Sequence, residues 1–161
     1  MKSVLYRRKR EGRTDYNKRL RLLVSREKRI VIRKSLRSIQ IQVVEYLPDG
    51  DKVLTATHSR ELVKYGLKNG IVNIPVSYLT GLLAGKKLLK QGIKTGVVDL
   101  GLQRAHVGGN LFAVIKGLVD AGVSIAFDES VAPSEERLNG EHLTSDLKEK
   151  LSSVKDKILA E

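Results

Sequence analysis

The sequence contains no cysteine and no tryptophan, and only 4% of its 161 residues are aromatic. Without cysteine the chain can form neither disulfide bonds nor thiolate metal sites. Its apolar runs fall well short of the roughly 20 residues that a membrane-spanning helix needs. The first residues are basic and lack the apolar centre of a secretory signal. These absences predict a soluble, cytoplasmic protein, and the 41% of apolar residues is enough to form a core.

Positive charge is present in excess, and all of the excess lies at one end of the chain. Residues 1–37 hold 15 Lys and Arg against three acidic residues, which accounts for the whole net charge of +12. Residues 38–161 hold 15 basic and 15 acidic residues and are therefore neutral. A neutral body with a basic segment is typical of proteins that bind polyanions, and nucleic acid is the favoured polyanion. A solubility tail and a segment that lies on anionic membrane are the alternatives.

The basic end divides into an arm and a helix. Residues 1–13 have no apolar period and their charges repel one another, so we expect an extended arm that stays disordered until it binds. Thr14 and Asp15 can cap a helix that runs to about residue 26. This helix has a face of three apolar residues that is predicted to pack against the body: Leu20, Leu23 and Val24.

The pattern then changes to the alternation that is typical of strands. Three strands are predicted, at residues 30–34, 39–47 and 52–58. In the second strand the apolar residues alternate with Gln40 and Gln42, so one of its faces is polar. Residues 48–51 (PDGD) predict a hairpin turn in which Gly50 can take a positive φ. We expect an antiparallel meander with one face covered and one face open and polar.

Two helices are predicted after the meander. Ser59 can cap a short helix, which Gly66 and Gly70 end. Pro75 is suited to the first turn of a longer helix, and Gly92 is the expected stop.

In the second half of the chain a strand, a helix and a strand are predicted at residues 96–100, 110–121 and 123–127. This succession predicts a right-handed parallel crossover. The fold class is thus α/β: a single domain with a mixed sheet flanked by helices, an extended basic N-terminal arm and a C-terminal helix. The expected parts are the arm (1–13), the α/β domain (14–127) and a C-terminal extension (128–161) with an amphipathic helix at 144–160.

Few residues suggest catalysis. Asp99 ends a predicted strand, where some nucleases of mixed-sheet fold hold a metal-binding carboxylate, but neither Glu45 nor Asp120 forms a motif with it. A hydrogen-bonded Asp is the favoured interpretation, and a metal-dependent nuclease is the alternative. The histidines lack metal-ligand spacing. We therefore expect no catalytic residue, no metal, no cofactor and no small-molecule substrate.

For two further features of the sequence, two roles remain open. Gly108 and Gly109 precede a predicted helix, so this loop either contacts phosphate through its backbone or is a plain turn. Tyr6 and Tyr16 interleave the basic residues, where a ring can stack on an unpaired base or pack against the sheet. The scarcity of aromatic residues elsewhere favours recognition of the backbone and shape of a folded RNA.

Six strings narrow the interpretation. In order along the chain they are RRKREGRTDYNKRLRLL, RIVIRKS, HSRELVKYG, YLTGLLAGKK, VVDLGL and ERLNGEHL. Together they closely resemble the archaeal-type large-subunit ribosomal protein numbered eighteen, and the resemblance covers essentially the whole chain. It implies a non-enzymatic protein that binds 5S ribosomal RNA (5S rRNA) and joins it to the large-subunit RNA at the central protuberance. Neighbouring ribosomal proteins are the further implied partners.

The resemblance also implies which residues contact RNA. Residues that match the arm motif of the family are Arg7, Arg8, Arg10, Arg13, Tyr16, Lys18 and Arg19, and those that match the first-strand motif are Arg33, Lys34 and Ser35. Three further basic residues of the same segment, Arg21, Arg26 and Arg29, are added as candidates. The loop after the hairpin supplies His58, Ser59 and Arg60.

Overall fold

The computed structural model describes residues 4–67 and 72–160. The strands are β1 (Arg29–Lys34), β2 (Ile39–Glu45), β3 (Lys52–His58) and β4 (Val97–Asp99). The α-helices are α1 (Arg7–Arg10), α2 (Tyr16–Val24), α3 (Ile74–Lys90), α4 (Asn110–Asp120), α5 (Glu135–Leu138) and α6 (Ser145–Ala160). Two 3-10 helices span Ser59–Tyr65 and Glu129–Val131. Gly70, one of the predicted helix stops, lies outside the described residues.

The predicted meander is confirmed. β1 pairs with β2 and β2 pairs with β3, both antiparallel, and the turn between β2 and β3 places Gly50 at a φ of +147°. The register shifts once, between Val43 and Val44. β4 pairs with β1 in parallel, so that the sheet of the described residues is mixed and has the order β3-β2-β1-β4. This agrees with the predicted α/β class.

Helices cover one face of the sheet. Alternation along β1 and β2 turns five branched apolar side chains to this inner face, and all are buried: Ile30, Ile32, Ile39, Ile41 and Val43. They share a core with Leu88 of α3 and with Val114 and Leu118 of α4. Burial of each such side chain contributes roughly 1.5–3 kcal/mol. Since the inner face is filled, the sheet can meet a partner only through its outer face and its edges.

α3 and α4 pack with their backbones in contact, and both helices were predicted. A Cβ on Gly81 would lie 2.2 Å from the carbonyl oxygen of Val114, and a Cβ on Gly117 would lie 2.3 Å from that of Tyr78. Only glycine allows so close an approach. The helix pair is thereby fixed as one layer beneath the sheet.

The predicted C-terminal helix is confirmed as α6. Leu151, Val154 and Ile158 are buried at its apolar stripe. They share a second core with Leu62, next to the sheet, and with Leu79 of α3. The C-terminal segment is therefore packed onto the body through α3.

The predicted strand at residues 123–127 is wrong. This segment makes one isolated parallel bridge, between Ser124 and Thr95, and is otherwise irregular. β4 is only three residues long and Gly101 turns the chain away at a φ of +60°, so little strand edge is available for pairing. The apolar residues of the segment (Val123, Ile125 and Phe127) pack against the first core instead.

The predicted packing face of α2 is wrong for two of its three residues. Leu20 is 65% exposed and Val24 is 75% exposed. The helix is oriented by polar contacts of Lys18 to Gly101 and of Arg19 to Asp51. Its half-buried apolar residues are Leu22 and Leu23. Helical spacing identified the element but not the side that meets the body.

Candidate nucleic-acid interface

The outer face of the sheet brings together residues that are distant in sequence. Arg33 of β1 lies opposite Gln40 of β2, and Gln40 lies opposite His58 of β3. Directly opposed residues project from the same face, and three strands span about 10 Å. Arg33, the exposed Gln40 and the half-buried His58 therefore form one polar row across the face opposite α3 and α4.

α2 is tied to this side of the sheet at two places. The Asp15 carboxylate caps the helix by accepting the N–H of Lys18 at 3.1 Å, as predicted. Lys18 donates from Nζ to the carbonyl oxygen of Gly101, after β4, at 3.0 Å. Arg19 donates from Nη2 to Asp51, in the β2–β3 turn, at 3.0 Å. These contacts fix the basic helix between the turn and the end of β4.

A buried arginine lies beneath these contacts. Arg29 is only 3% exposed, and its Nη1 donates to Asp99 Oδ2 at 3.0 Å. Its Nη2 pairs with Asp51 Oδ2. A buried guanidinium needs such compensation, because an unpaired ion in the interior is costly. Arg29 therefore neutralises both carboxylates from below the surface.

A small cavity of 140 Å³ opens beside this ion-pair network. Five of the predicted RNA-binding cations line it: Arg8, Arg13, Lys18, Arg19 and Arg33. Arg33 donates from Nη1 to the carbonyl oxygens of Ile32 at 2.9 Å and Asp99 at 3.0 Å, and its side chain stays 42% exposed. Gly101 fits closely here, because a Cβ on it would lie 3.1 Å from the Arg33 guanidinium. The arm, α2 and β1 thus place their charges around one concave surface, which can hold an anion such as phosphate.

The arm is not extended throughout, which corrects the sequence-based expectation. Its residues Arg7–Arg10 form one helical turn, and every described residue up to Arg13 is exposed. Arg8 donates from Nε to Thr14 Oγ1 at 2.9 Å, and the rings of Tyr6 and Tyr16 lie 5.2 Å apart. Local hydrogen bonds and this ring contact stabilise a turn that charge repulsion alone disfavours.

The loop after β3 differs from the prediction in its cap. The Nδ1 atom of His58, not the hydroxyl of Ser59, caps the 3-10 helix by accepting the N–H of Arg60 at 3.0 Å. Ser59 is buried, and its hydroxyl accepts the N–H of Ile39 at 3.1 Å. Because Nδ1 of His58 is an acceptor, Nε2 of the neutral ring carries the proton and can donate. His58 and the exposed Arg60 remain accessible, whereas Ser59 holds the loop to the sheet.

Glu61 closes the same cap. It accepts the N–H of His58 at 2.9 Å and pairs with Lys87 of α3. Burial raises the pKa of Glu61, but the hydrogen bonds from Lys87 and His58 and the charges of Lys87 and Lys64 outweigh this and lower the pKa below its ordinary value of 4.5.

This lowered pKa predicts an acid-dependent loss of stability. A carboxylate with a lowered pKa in the folded state stabilises the fold fully above its ordinary pKa, and this contribution is lost as the pH falls through the lowered value. Glu61→Gln should therefore reduce the free energy of unfolding by about 1 kcal/mol or less at pH 7, and by less at pH 3. Urea unfolding at both pH values measures the difference. Glu136→Gln, at an exposed position, is the control, and equal losses at both pH values would contradict the prediction.

The remaining candidates lie around these features. Arg21 and Arg26 are exposed, and Arg26 has a left-handed φ of +56° just after α2. Lys34 exchanges hydrogen bonds between its backbone and the side chain of Gln103 at 3.2 and 3.5 Å, so its ammonium group stays free of that contact. The hydroxyl of Ser35 bonds within the β1–β2 turn, to Ser38 at 2.8 Å.

Two candidates are buried. Arg29 and Ser59 make their contacts within the chain. Their direct contact with RNA stays a prediction. Sequence reasoning missed Asp51, which was interpreted only as part of a turn. An acidic residue among many cations is the available signal, since it suggests an internal ion pair.

Asp99 is the hydrogen-bonded residue that the favoured interpretation expected. Besides Arg29, its carboxylate accepts the N–H of Gly101 at 2.8 Å. Residues 4–67 and 72–160 contain no group of three or more His, Cys, Asp or Glu residues placed to hold a metal ion. Across the same residues, no helix combines the length and apolarity needed to cross a bilayer.

The fold and surface define a class: a basic α/β protein with cations gathered beside an open sheet face. Residues 2–95 match the family model described as ribosomal large subunit proteins 60S L5 and 50S L18. The large ribosomal subunit protein uL18 of Methanococcoides burtonii is 48% identical, over 98% of this chain and 94% of that protein. The protein of the same name from Caldivirga maquilingensis is 49% identical, over 91% of this chain and 72% of that protein.

The chain belongs to the family of large ribosomal subunit proteins 60S L5 and 50S L18. It is a non-enzymatic protein of the large ribosomal subunit, with archaeal relatives. The resemblance stated from the six strings is thereby confirmed at the level of the family, and the nuclease alternative is set aside.

Proposed function

We propose that this protein binds 5S rRNA and attaches it to the large-subunit rRNA at the central protuberance, in cytoplasmic ribosomes beside neighbouring ribosomal proteins. The observation that carries the proposal is the cavity at which cations of the arm, α2 and β1 converge. A concave cationic surface next to a polar sheet face suits a bent phosphate backbone, which positions a protein on folded RNA.

The proposed contact surface has two parts. The first is the cationic cavity with the rest of the arm and α2, including the exposed Arg7, Arg10, Arg21 and Arg26. The second is the row of Arg33, Gln40 and His58, together with the exposed residues that lie next to it in sequence, Lys34, Ser35 and Arg60. In this proposal the contact surface belongs to the arm (1–13) and the α/β domain (14–127). The C-terminal extension (128–161) is not part of it.

The two parts have different tasks in this proposal. An Arg guanidinium group in the cavity can donate two parallel hydrogen bonds to one phosphate. Tyr6 and Tyr16, in the same basic segment, supply aromatic rings that can contact RNA. The sheet row offers weaker, directional donors, among them Nε2 of His58. Electrostatic attraction thus supplies most of the affinity, and the fixed geometry of the sheet restricts it to one RNA shape.

A titration with labelled 5S rRNA tests the proposal. At about 150 mM salt the full-length protein should bind 5S rRNA at least about tenfold more tightly than a duplex RNA of equal length. Addition of a large-subunit rRNA fragment should then give a ternary complex on native gels. Equal affinity for both RNAs would contradict the proposal, since charge alone would then account for binding.

A further inference from the structure

Two carboxylates lie inside the basic surface, where simple electrostatics would disfavour them. Asp51 lies in the β2–β3 turn and Asp99 is the last residue of β4, and both contact Arg29. Negative charge close to bound phosphate opposes binding through Coulomb repulsion. Their position is therefore not explained by regarding them as ordinary solvent-exposed surface charges.

Each carboxylate connects the buried Arg29 to an arginine that is partly exposed. Asp51 pairs with Arg29 through Oδ2 and with Arg19 through Oδ1, at 3.0 Å. Asp99 holds Arg29 through Oδ2, while its Oδ1 lies 3.9 Å from Arg33 Nη2. The backbone carbonyl oxygen of Asp99 also accepts a hydrogen bond from Arg33 Nη1, at 3.0 Å. The charges of Arg19 and Arg33 are thus directed toward the cavity by acids that are themselves anchored to a buried cation.

We infer that Asp51 and Asp99 are positioning residues for RNA binding, an inference that rests on the proposed function. Arg19 and Arg33 have long, flexible side chains, and ordering them on phosphate costs conformational entropy. The carboxylates order them before RNA arrives, and Asp51 also holds α2 to the β2–β3 turn. Arg29 is the fixed point of the arrangement.

The inference predicts that loss of the Asp51 charge weakens RNA binding, whereas Coulomb repulsion alone predicts the opposite change in affinity. Asp51→Asn removes a negative charge from the RNA-binding surface, so repulsion alone predicts tighter binding. The amide has one acceptor oxygen instead of two, so it cannot serve both Arg19 and Arg29. Affinity for 5S rRNA should therefore fall roughly 10- to 100-fold. This range is taken by analogy from metalloproteins, in which removal of a group that orients a metal ligand weakens metal binding by about that factor.

Asp49→Asn is the matched control, because it removes the same charge from the same turn. Asp49 is exposed, and the contacts of the network belong to Asp51. This variant should bind 5S rRNA as tightly as the wild type or slightly more tightly. Both variants are titrated at several salt concentrations, and stoichiometric titration measures the competent fraction of each preparation.

The salt dependence separates positioning from general loss of structure. If Arg19 no longer reaches phosphate in Asp51→Asn, the slope of log affinity against log salt should become shallower by about one unit. Partial unfolding lowers the competent fraction but leaves that slope unchanged. Should Asp51→Asn not fold, Asp51→Glu tests the positioning by itself: its added methylene displaces the carboxylate while keeping the charge, so binding should weaken and the salt slope should become shallower, with Asp49→Glu as the control.

Three outcomes overturn the inference: Asp51→Asn binds as tightly as Asp49→Asn, it binds more tightly, or it binds more weakly with an unchanged slope. If the wild type fails to bind 5S rRNA, the proposed function fails, and hydrogen exchange decides the inference separately. Amides of residues 16–24 should then exchange faster in Asp51→Asn than in Asp49→Asn, whereas equal rates overturn the anchoring of α2.

Discussion

Removal of residues 1–13 should weaken binding to 5S rRNA by orders of magnitude and leave the fold intact. The described residues of this arm are all exposed, so the truncation removes no part of the core. It does remove six Lys and Arg, among them Arg8 and Arg13 of the cavity. If the wild type contacts 6–10 phosphates, its affinity should fall roughly 10³- to 10⁵-fold between 50 and 200 mM salt. The truncated protein should show a much shallower dependence.

Filter binding at four salt concentrations measures both the affinity and the slope, and circular dichroism monitors the fold. Two double variants that each lose two positive charges separate the effect of where the charge lies from the effect of how much charge is lost. Arg7→Gln with Arg10→Gln should weaken binding and reduce the slope, whereas Lys148→Gln with Lys150→Gln on α6 should change neither. If the truncated protein bound as tightly as the wild type, the sheet row would be the main site.

Arg29→Met should destabilise the fold by about 3–5 kcal/mol, because it leaves Asp99 buried without its cation. This is a large fraction of the 5–15 kcal/mol that is typical of whole domains. Asp99→Leu should also destabilise, since Arg29 would keep only Asp51. The double variant should recover part of the loss, because a buried pair can be replaced by apolar groups of similar volume.

Arg33→Met is the control on the same strand and the same face. Its side chain is 42% exposed, so this substitution should cost about 1 kcal/mol or less. Urea denaturation at pH 7 measures the four variants. A loss below 1 kcal/mol for Arg29→Met would indicate that solvent reaches the network and that Arg29 is not its fixed point.

Much of the fold follows from local patterns. Alternation predicted β1 to β3 and the identity of the buried face, on which Ile39, Ile41 and Val43 lie. Helical spacing and caps predicted α2, α3, α4 and α6, because such signals act within one or two turns. The strand at residues 123–127 failed because pairing depends on a neighbouring edge, and β4 offers only three residues.

The candidate site divides in the same way. The position of the charge along the chain was sufficient to predict a polyanion-binding end, since net charge requires no knowledge of the fold. Arg29 and Arg33 were both predicted as RNA contacts, and the sequence alone could not distinguish them. In the structure Arg29 pairs with both Asp51 and Asp99 and its side chain is 4% exposed, whereas Arg33 contacts Asp99 but not Asp51 and its side chain stays 42% exposed.

The sequence by itself thus determined that a basic end precedes a neutral α/β body, and its six strings indicated the ribosomal family. Only the tertiary structure decided which charges are free and which are paired. The reason is physical: charge and periodicity are properties of the chain, whereas ion pairing and burial depend on which distant segments meet. In this way Arg29 and Ser59, predicted as RNA contacts, were found buried with partners inside the chain, and Asp51, predicted as part of a turn, was found to link α2 to the β2–β3 turn and Arg29.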